Sequence, residues 1–327
     1  MLLVARLKYW QGINAALREE LERDSSVCVI GEDVAYGGPF GATSDLEQEF
    51  GSLRVRDTPI SEAAIVGTAL GAAMTGLRPV VEVMFFDFVT LAMDQLVNQA
   101  AKISYMSAGK FHAPMVIRTL CGAGRGTGPQ HGQSLEAWLS HVPGLKVVWP
   151  STPEDAKGLL KAAIRDDDPV VVIESLKLWG TRGEVPEEDD IVPIGHSLVR
   201  RSGKDATIVA WGSAVRRALE AAEQLAEDGI EAEVLDLRTL SPIDEDSILS
   251  SLTRTGRLAI VQDAVAPLGV GAEVAAIAAS AGYNVLKAPV ARITPPFAPI
   301  PFTPNLEEAY FPQADDVKRS VHELVKE

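Results

Sequence analysis

The chain has 327 residues, 46% of them hydrophobic and 23% charged, enough apolar material for two packed domains. Its 45 acidic and 30 basic side chains give a formal net charge of -15, which argues against nucleic acid and anionic membrane as partners and suits a basic protein surface. The two cysteines, Cys28 and Cys121, make no disulfide framework and Met1 to Tyr9 lack the apolar core of a signal peptide; the expected location is cytoplasmic, or the mitochondrial matrix after processing.

In chain order, Ile13 to Leu21 reads as an amphipathic helix and Val27-Cys-Val-Ile-Gly-Glu-Asp as a buried strand with a polar tip. Arg54 to Ser61 is a short strand running into a turn, and Ser61 is placed to cap the next helix. That helix lies within Ala63 to Leu77, a nearly uncharged stretch too short for a membrane span; Gly67, Gly71 and Gly76 suggest close packing of a buried helix. Pro79 to Phe85 is a strand, Leu91 to Ser107 a helix and Ala113 to Arg118 a strand, followed by a glycine-rich loop, Gly122 to Gly132. Leu145 to Pro150 is a strand, Pro153 to Arg165 a helix and Pro169 to Glu174 a strand.

Val185-Pro-Glu-Glu-Asp-Asp reads as a solvated linker, after which the alternation restarts. Strands at 206–211, 232–237 and 257–261 alternate with helices at 214–227, 245–252 and 271–281, and the proline-rich 294–304 is irregular. Apolar strands alternating with helices predict an α/β fold, with mostly parallel sheets covered by helices and ligands beyond the carboxyl ends of the strands. The expected division is a first domain over 1–185, a linker over 186–200 and a second domain over 201–327.

Several residues stand out chemically. Gly122, Gly124, Gly126 and Gly128 alternate, but neither the dinucleotide nor the nucleoside-triphosphate glycine spacing is present. The loop ends in Gln130-His131-Gly132-Gln133, and His131 is the one histidine in a polar, glycine-rich setting; His112, His141, His196 and His322 lack one. Glu62 opens an apolar helix, where a carboxylate also serves simply as a cap, and Glu32 sits at a strand end with the same ambiguity. Phe85, Phe86 and Phe88 cluster around Asp87, and no spacing resembles a zinc site.

The strings Gly31-Glu-Asp-Val-Ala, Asp57-Thr-Pro-Ile-Ser-Glu, Gly76-Leu-Arg-Pro-Val-Val-Glu, Met93-Asp-Gln-Leu-Val-Asn-Gln-Ala-Ala-Lys and Pro143-Gly-Leu-Lys-Val-Val occur in that order. Asp155-Ala-Lys-Gly-Leu-Leu, Ala163-Ile-Arg-Asp-Asp-Asp-Pro-Val-Val and Val234-Leu-Asp-Leu-Arg-Thr-Leu-Ser-Pro follow. Together, over nearly the whole chain, they resemble the beta subunit of the thiamine-diphosphate-dependent 2-oxo acid dehydrogenases, the pyruvate, branched-chain and acetoin family. The resemblance implies a transketolase-like pyrimidine-binding domain followed by a transketolase C-terminal domain. It implies oxidative decarboxylation of a small 2-oxo acid with acyl transfer to a lipoyl group, or the acetoin reaction.

By the same resemblance, Glu62 would hydrogen-bond the cofactor's aminopyrimidine nitrogen, with Glu32, Ile60 and Ser61 around it and Phe88 stacking on the ring. His131 would move a proton during acyl transfer, a task imidazole suits; Phe85, Phe86, Asp87, Gln130 and Gln133 would face substrate. Gly132 stands where the family usually has serine, which puts in doubt any hydrogen bond that serine makes. Backbone carbonyls at Met115, Ala163, Ile164, Asp166 and Asp168 match a potassium site of some relatives, although a run of acids at a helix end also reads as a solvated turn. Lys102 and Tyr105 match structural positions on the long helix.

The Gly-Asp-Gly…Asn pattern that holds magnesium and diphosphate is missing, since Asp228-Gly229 is only a helix end. The resemblance therefore implies an alpha subunit that supplies magnesium and half of the site, in a tetramer of two alpha and two beta chains, and docking on a lipoyl acyltransferase core. A sugar-phosphate enzyme of the transketolase type and a scaffold that has lost its chemistry remain the alternatives.

Overall fold

The computed structural model describes residues 4–186 and 191–326. Part of the expected linker, 187–190, lies outside the described residues. The chain forms two compact units, one of residues 1–122 and 138–194, the other of 123–137 and 195–327. The division near residue 194 falls within the expected linker 186–200, and nearly all of the glycine-rich loop, from Ala123 on, groups with the second unit, where its packing partners lie in the C-terminal tail.

The first unit contains β1 (Val4–Lys8), α1 (Tyr9–Arg23), β2 (Val27–Gly31), α2 (Leu46–Phe50), β3 (Val55–Asp57), α3 (Glu62–Met74) and β4 (Arg78–Phe85). After β4 come α4 (Ala101–Met106) and β5 (Val116–Cys121). The short α5 (Glu136–Ser140) leads on to β6 (Lys146–Val148), α6 (Pro153–Arg165), β7 (Val170–Ser175) and β8 (Arg182–Pro186). Its main sheet runs β6-β7-β5-β4-β2-β3 with every pairing parallel. β2, β5 and β7 are buried along their whole length, as a sheet covered on both faces requires.

Helix α1 puts Ile13, Leu17 and Leu21 into the core beside Leu159, Leu160 and Ala163 of α6. The start of α6 is fixed by Thr152, whose side-chain oxygen accepts the Asp155 N–H at 3.1 Å, and by Pro153 in the first turn.

Three local expectations change. Leu91 to Ser107 is not one regular helix: a 3-10 stretch at Phe86–Ala92 passes into a π-helical stretch at Asp94–Ala100 and then into α4. Apolar spacing over so short a segment does not separate these windings, since all three keep one face inward. Gly67 lies against Gln95, whereas Gly71 has open space around the position of a Cβ and Gly76 ends the helix at φ +102°, so close packing accounts for one of the three glycines. Ser61 occupies the N-cap of α3, but its side chain makes no capping hydrogen bond. The strand pair β1–β8 was not legible in the sequence, because neither strand is apolar throughout or strictly alternating.

The second unit contains β9 (Leu198–Arg201), β10 (Ala206–Ala210), α7 (Ala214–Glu227), β11 (Ala232–Asp236), β12 (Thr239–Ser241), α8 (Glu245–Thr255) and β13 (Leu258–Val261). These are followed by α9 (Val270–Ser280), β14 (Ala291–Ile293), α10 (Pro304–Tyr310) and α11 (Ala314–Lys326). The sheet order is β14-β13-β10-β11-β9, parallel except for β9 at one edge. Helices α7 and α11 close one core over it through Ala218, Ala222, Leu225, Val317 and Val321. Among the described residues no helix is long and apolar enough to cross a membrane.

Gly144, in the turn before β6, shows how tightly the first unit is drawn together. It sits at φ +99°, and a Cβ there would overlap the Ala101 carbonyl oxygen. Lys102, one residue on, donates to the Pro143 carbonyl at 2.6 Å across the same contact. Gly144→Ala is expected to lower the unfolding free energy by roughly 2 kcal/mol or more, from backbone strain plus overlap; a urea midpoint equal to that of the unsubstituted protein would show the turn free to move away.

Candidate functional site

The site in the first unit is a product of strand register. Gly31 at the end of β2 lies opposite Asp57 of β3 on one side and Glu82 of β4 on the other. The next residue after Gly31 is Glu32, and the chain leaving β3 reaches Glu62 at the first turn of α3. The Thr58 N–H donates to the Gly31 carbonyl at 3.0 Å and the Ala35 N–H to the Asp57 carboxylate at 2.8 Å, tying both exits to the strand ends. The carboxyl ends of β2 and β3 therefore bring Glu32 and Glu62 beside Glu82, a buried residue within the adjacent β4.

The mutual field of these acids is felt at Glu32. Its carboxyl is held above the ordinary range by burial first, then by the negative charges of Asp33, Glu62 and Glu82. Glu62 is partly exposed at the helix start, where the dipole favours a carboxylate, and no described hydrogen bond or ion pair engages it. Ile60 is 73% exposed and Ser61 is exposed beside it.

The aromatic residues divide by role. Phe88 is partly exposed, and its ring meets the edge of Phe85 at a centroid distance of 6.2 Å. Phe85 in turn packs edge-on against Phe40 at 5.7 Å, and Phe40 against Trp179 at 6.1 Å. Phe85, Phe86 and Asp87, expected to face substrate, are buried within this unit, and Phe85 supports the Phe88 ring. Phe40 and Trp179 were missed because their positions in sequence carry no sign of this stack.

A second missed feature lies beneath the acids. Arg118 of β5 is buried and donates through Nη1 to Glu82 at 2.7 Å, and through Nε and Nη2 to the two oxygens of Glu174 of β7 at 2.7 and 2.9 Å. One guanidinium thus serves two buried carboxylates. Burial pushes Glu174 up to about 7 against the pull of Arg118, with Glu82 adding to the rise, while the two acids hold the Arg118 guanidinium firmly charged. The available signal was a charged residue within each of three largely apolar strands, Glu82, Arg118 and Glu174, since such residues are buried only when paired.

The five carbonyl positions expected for potassium already meet protein donors or lie beside protein cations. Met115 accepts from the Val170 N–H, Ala163 from the Asp166 N–H, and both Ile164 and Asp166 from Arg78. The side chains of Asp166 and Asp168 pair with Lys146. Arg78 and Lys146 thus supply positive charge at this turn from the chain itself. Tyr105 is 90% exposed, so the structural part expected of it is not played within this chain, in contrast to Lys102.

The second unit carries the glycine-rich loop. His131 is partly exposed, and its backbone N–H donates to the Gly128 carbonyl at 3.5 Å. Gln133 and Ser134 line a cleft of about 340 Å³ together with Asp263, Phe297, Ile300 and Tyr310, whereas Gln130 is exposed and does not line it. Gly132 is buried, and a Cβ there would lie 3.2 Å from both the Gly128 carbonyl oxygen and the Thr127 hydroxyl and 3.4 Å from Ile300. A serine here would need its neighbours to give by a few tenths of an ångström.

Glu136, in the same segment, is fully buried, and neither carboxylate oxygen has a hydrogen-bond partner among the described residues. Burial pushes its carboxyl up to about 7, opposed by its own backbone N–H and the Trp211 side chain, which lie near it without meeting hydrogen-bond geometry, while Asp263 raises it further.

Residues 5–180 match the family described as transketolase, pyrimidine binding domain, and residues 195–317 the transketolase C-terminal domain. The chain is 47% identical to the beta subunit of acetoin:2,6-dichlorophenolindophenol oxidoreductase of Bacillus subtilis (strain 168), covering 96% of each chain. It is 43% identical to the 2-oxoisovalerate dehydrogenase subunit beta of the same organism, covering 98% of this chain and 99% of that one. It is 44% identical to that organism's pyruvate dehydrogenase E1 component subunit beta, covering 99% and 100%. A split-gene transketolase, solved as an inactive beta4 tetramer, shares the fold with a TM-score of 0.80 at 24% identity, each chain covered to 98%.

Two outcomes test the buried charges. Arg118→Met leaves two carboxylates without their cation and is expected to cost roughly 3–5 kcal/mol, read by chemical denaturation; a loss below about 1 kcal/mol would mean the acids are neutral without it. Glu136 keeps its proton when folded over a range where the unfolded chain, at an ordinary 4.5, has released it, so its contribution is full below 4.5 and is lost as pH rises through about 7. Glu136→Gln should therefore gain stability relative to the unsubstituted protein between about pH 5 and pH 7.5, approaching roughly 3 kcal/mol; a pH-independent difference in melting temperature would refute the assignment.

Proposed function

The chain belongs to the transketolase-like family of E1 beta subunits of 2-oxo acid dehydrogenases, and from that premise we propose that it forms half of a thiamine-diphosphate site completed by an alpha subunit. The observation that carries the proposal is that Glu32 and Glu62, reached from the carboxyl ends of the adjacent strands β2 and β3, share one field, while Phe88 follows the neighbouring β4. The donor set fits an aminopyrimidine. Glu62 is a carboxylate with no described partner at a helix start, Glu32 is a second acid held above its usual range, and Phe88 is an aromatic face supported from behind by Phe85.

Bound there, thiamine diphosphate supplies a carbon nucleophile and an electron sink for cleavage of the bond next to a carbonyl. The residues of this chain do the rest of what is proposed. Glu62 would hold the pyrimidine ring nitrogen by a hydrogen bond that favours the proton-accepting form of the ring's amino group. Glu32, with its raised proton affinity, is suited to a neighbouring position, and Ile60 and Ser61 to the wall. Phe88 would stack on the ring. His131 would deliver a proton at a sulfur of the incoming lipoyl group during acyl transfer.

Magnesium and the diphosphate fall to the alpha subunit in this reading, in an assembly of two alpha and two beta chains, because this sequence lacks the Gly-Asp-Gly…Asn pattern. Docking on a lipoyl acyltransferase core through a basic domain agrees with the net charge of -15. The reaction proposed is oxidative decarboxylation of pyruvate or a branched-chain 2-oxo acid. The acetoin reaction is the second reading, favoured by the 47% identity to the acetoin oxidoreductase subunit.

Glu62→Gln, co-expressed with the alpha subunit, is expected to assemble normally and to lose turnover by about 10²–10⁴-fold, the usual worth of a positioned proton-transfer group. The assay is reduction of an artificial electron acceptor with pyruvate, branched 2-oxo acids and acetoin supplied in turn, which also selects the substrate. Turnover within a few-fold of the unsubstituted assembly would end the proposal.

A further inference from the structure

Glu307, on α10, is 3% exposed, whereas its neighbour Glu308 is exposed. A carboxylate does not stay buried without compensation. Its compensation comes from the glycine-rich loop: Oε1 accepts the Gly124 N–H at 2.9 Å and Oε2 the Gly126 N–H at 2.6 Å. Gly124, Gly126 and Gly128 all stand at φ between +69° and +84°, the left-handed region that favours glycine, and successive N–H groups in such a chain turn toward a common anion. The alternating glycines that match no nucleotide motif thus enclose an anion that the protein carries itself.

The contact continues toward His131. The positions where Gly126 and Gly128 would carry Cβ atoms lie 3.4 Å from the Phe302 carbonyl oxygen and from the Phe302 ring. The Gly128 carbonyl receives the His131 backbone N–H, and Gly132 is packed beneath Ile300. The loop is thus clamped along residues 300–307, with the carboxylate of Glu307 as its charged pin.

We infer that Glu307 is a positioning residue that acts through His131: by binding the Gly124 and Gly126 amides it fixes the loop that presents the imidazole for acyl transfer. The inference rests on the functional reading above for the identity of the step, but the latch itself does not. Glutamine at 307 keeps one acceptor oxygen and turns an NH2 group toward a backbone N–H, so one of the two bonds is lost and a donor faces a donor. Arg125 is exposed between the two latched glycines and provides a cleavage point for trypsin.

The test uses the assembled alpha–beta protein, with and without Glu307→Gln. In the variant, trypsin is expected to cut after Arg125 at least ~10-fold faster while other sites are cut at unchanged rates. Acyl transfer to a free lipoyl domain should fall at least ~10-fold while turnover with an artificial acceptor stays within about 2-fold, a split that general destabilisation does not produce. In the unsubstituted protein the Gly124 and Gly126 amides should exchange at least ~100-fold more slowly than in an unstructured chain, a measurement that stands even if the variant fails to fold. Unchanged cutting at Arg125, unprotected amides, or equal losses in both half-reactions would each overturn the inference. Absence of acyl transfer by the unsubstituted assembly would instead overturn the functional reading, leaving cleavage and exchange to judge the latch.

Discussion

Gly31 is where the backbone of the first unit is constrained beside the candidate site. A Cβ at this position would come within 2.9 Å of the Glu82 carbonyl oxygen and 3.0 Å of Val34, so only glycine lets β2 approach β4 this closely before the chain turns away. With that approach goes the register that sets Gly31 opposite Glu82 and Asp57. A shift of β2 by one residue would turn Glu32 away from the side on which Glu62 and Glu82 act on it.

The charges in the first unit form two levels. At the upper level burial, and then the charges of Asp33, Glu62 and Glu82, raise the proton affinity of Glu32. Below them, one of those acids, Glu82, is also a partner of Arg118, which is bound from the other side by Glu174. Glu82 therefore belongs to both the surface cluster and the buried one, and it ties the electrostatics of the candidate site to the interior of the sheet. A guanidinium suits this place because its planar fork grips Glu174 with two bonds and keeps a third for Glu82. The aromatic stack Trp179–Phe40–Phe85–Phe88 does for shape what the charged triad does for potential: it carries rigidity from the core outward to an exposed ring.

The second unit shows the reverse arrangement, an interior carboxylate reaching outward to hold a loop. The glycines of that loop have φ values that few other residues accept, and the acid that fixes them is some 180 residues away in the chain. Gly132 belongs to the same economy of space, since Thr127, Gly128 and Ile300 crowd the volume that a side chain would take.

The sequence by itself determined the alternation of apolar strands and helices, and hence two α/β units with parallel sheets, because burial on both faces imposes uniformly apolar strands that are visible locally. It also determined which family the chain belongs to, through ordered strings such as Asp57-Thr-Pro-Ile-Ser-Glu62. Only the tertiary structure decided which polar residues meet. Glu82, Arg118 and Glu174 come from three strands, and Glu307 finds Gly124 and Gly126 across more than half the length of the chain. Periodicity reports which face a residue is on, but a hydrogen bond depends on the register between separate elements, and that is set by long-range packing with no local trace.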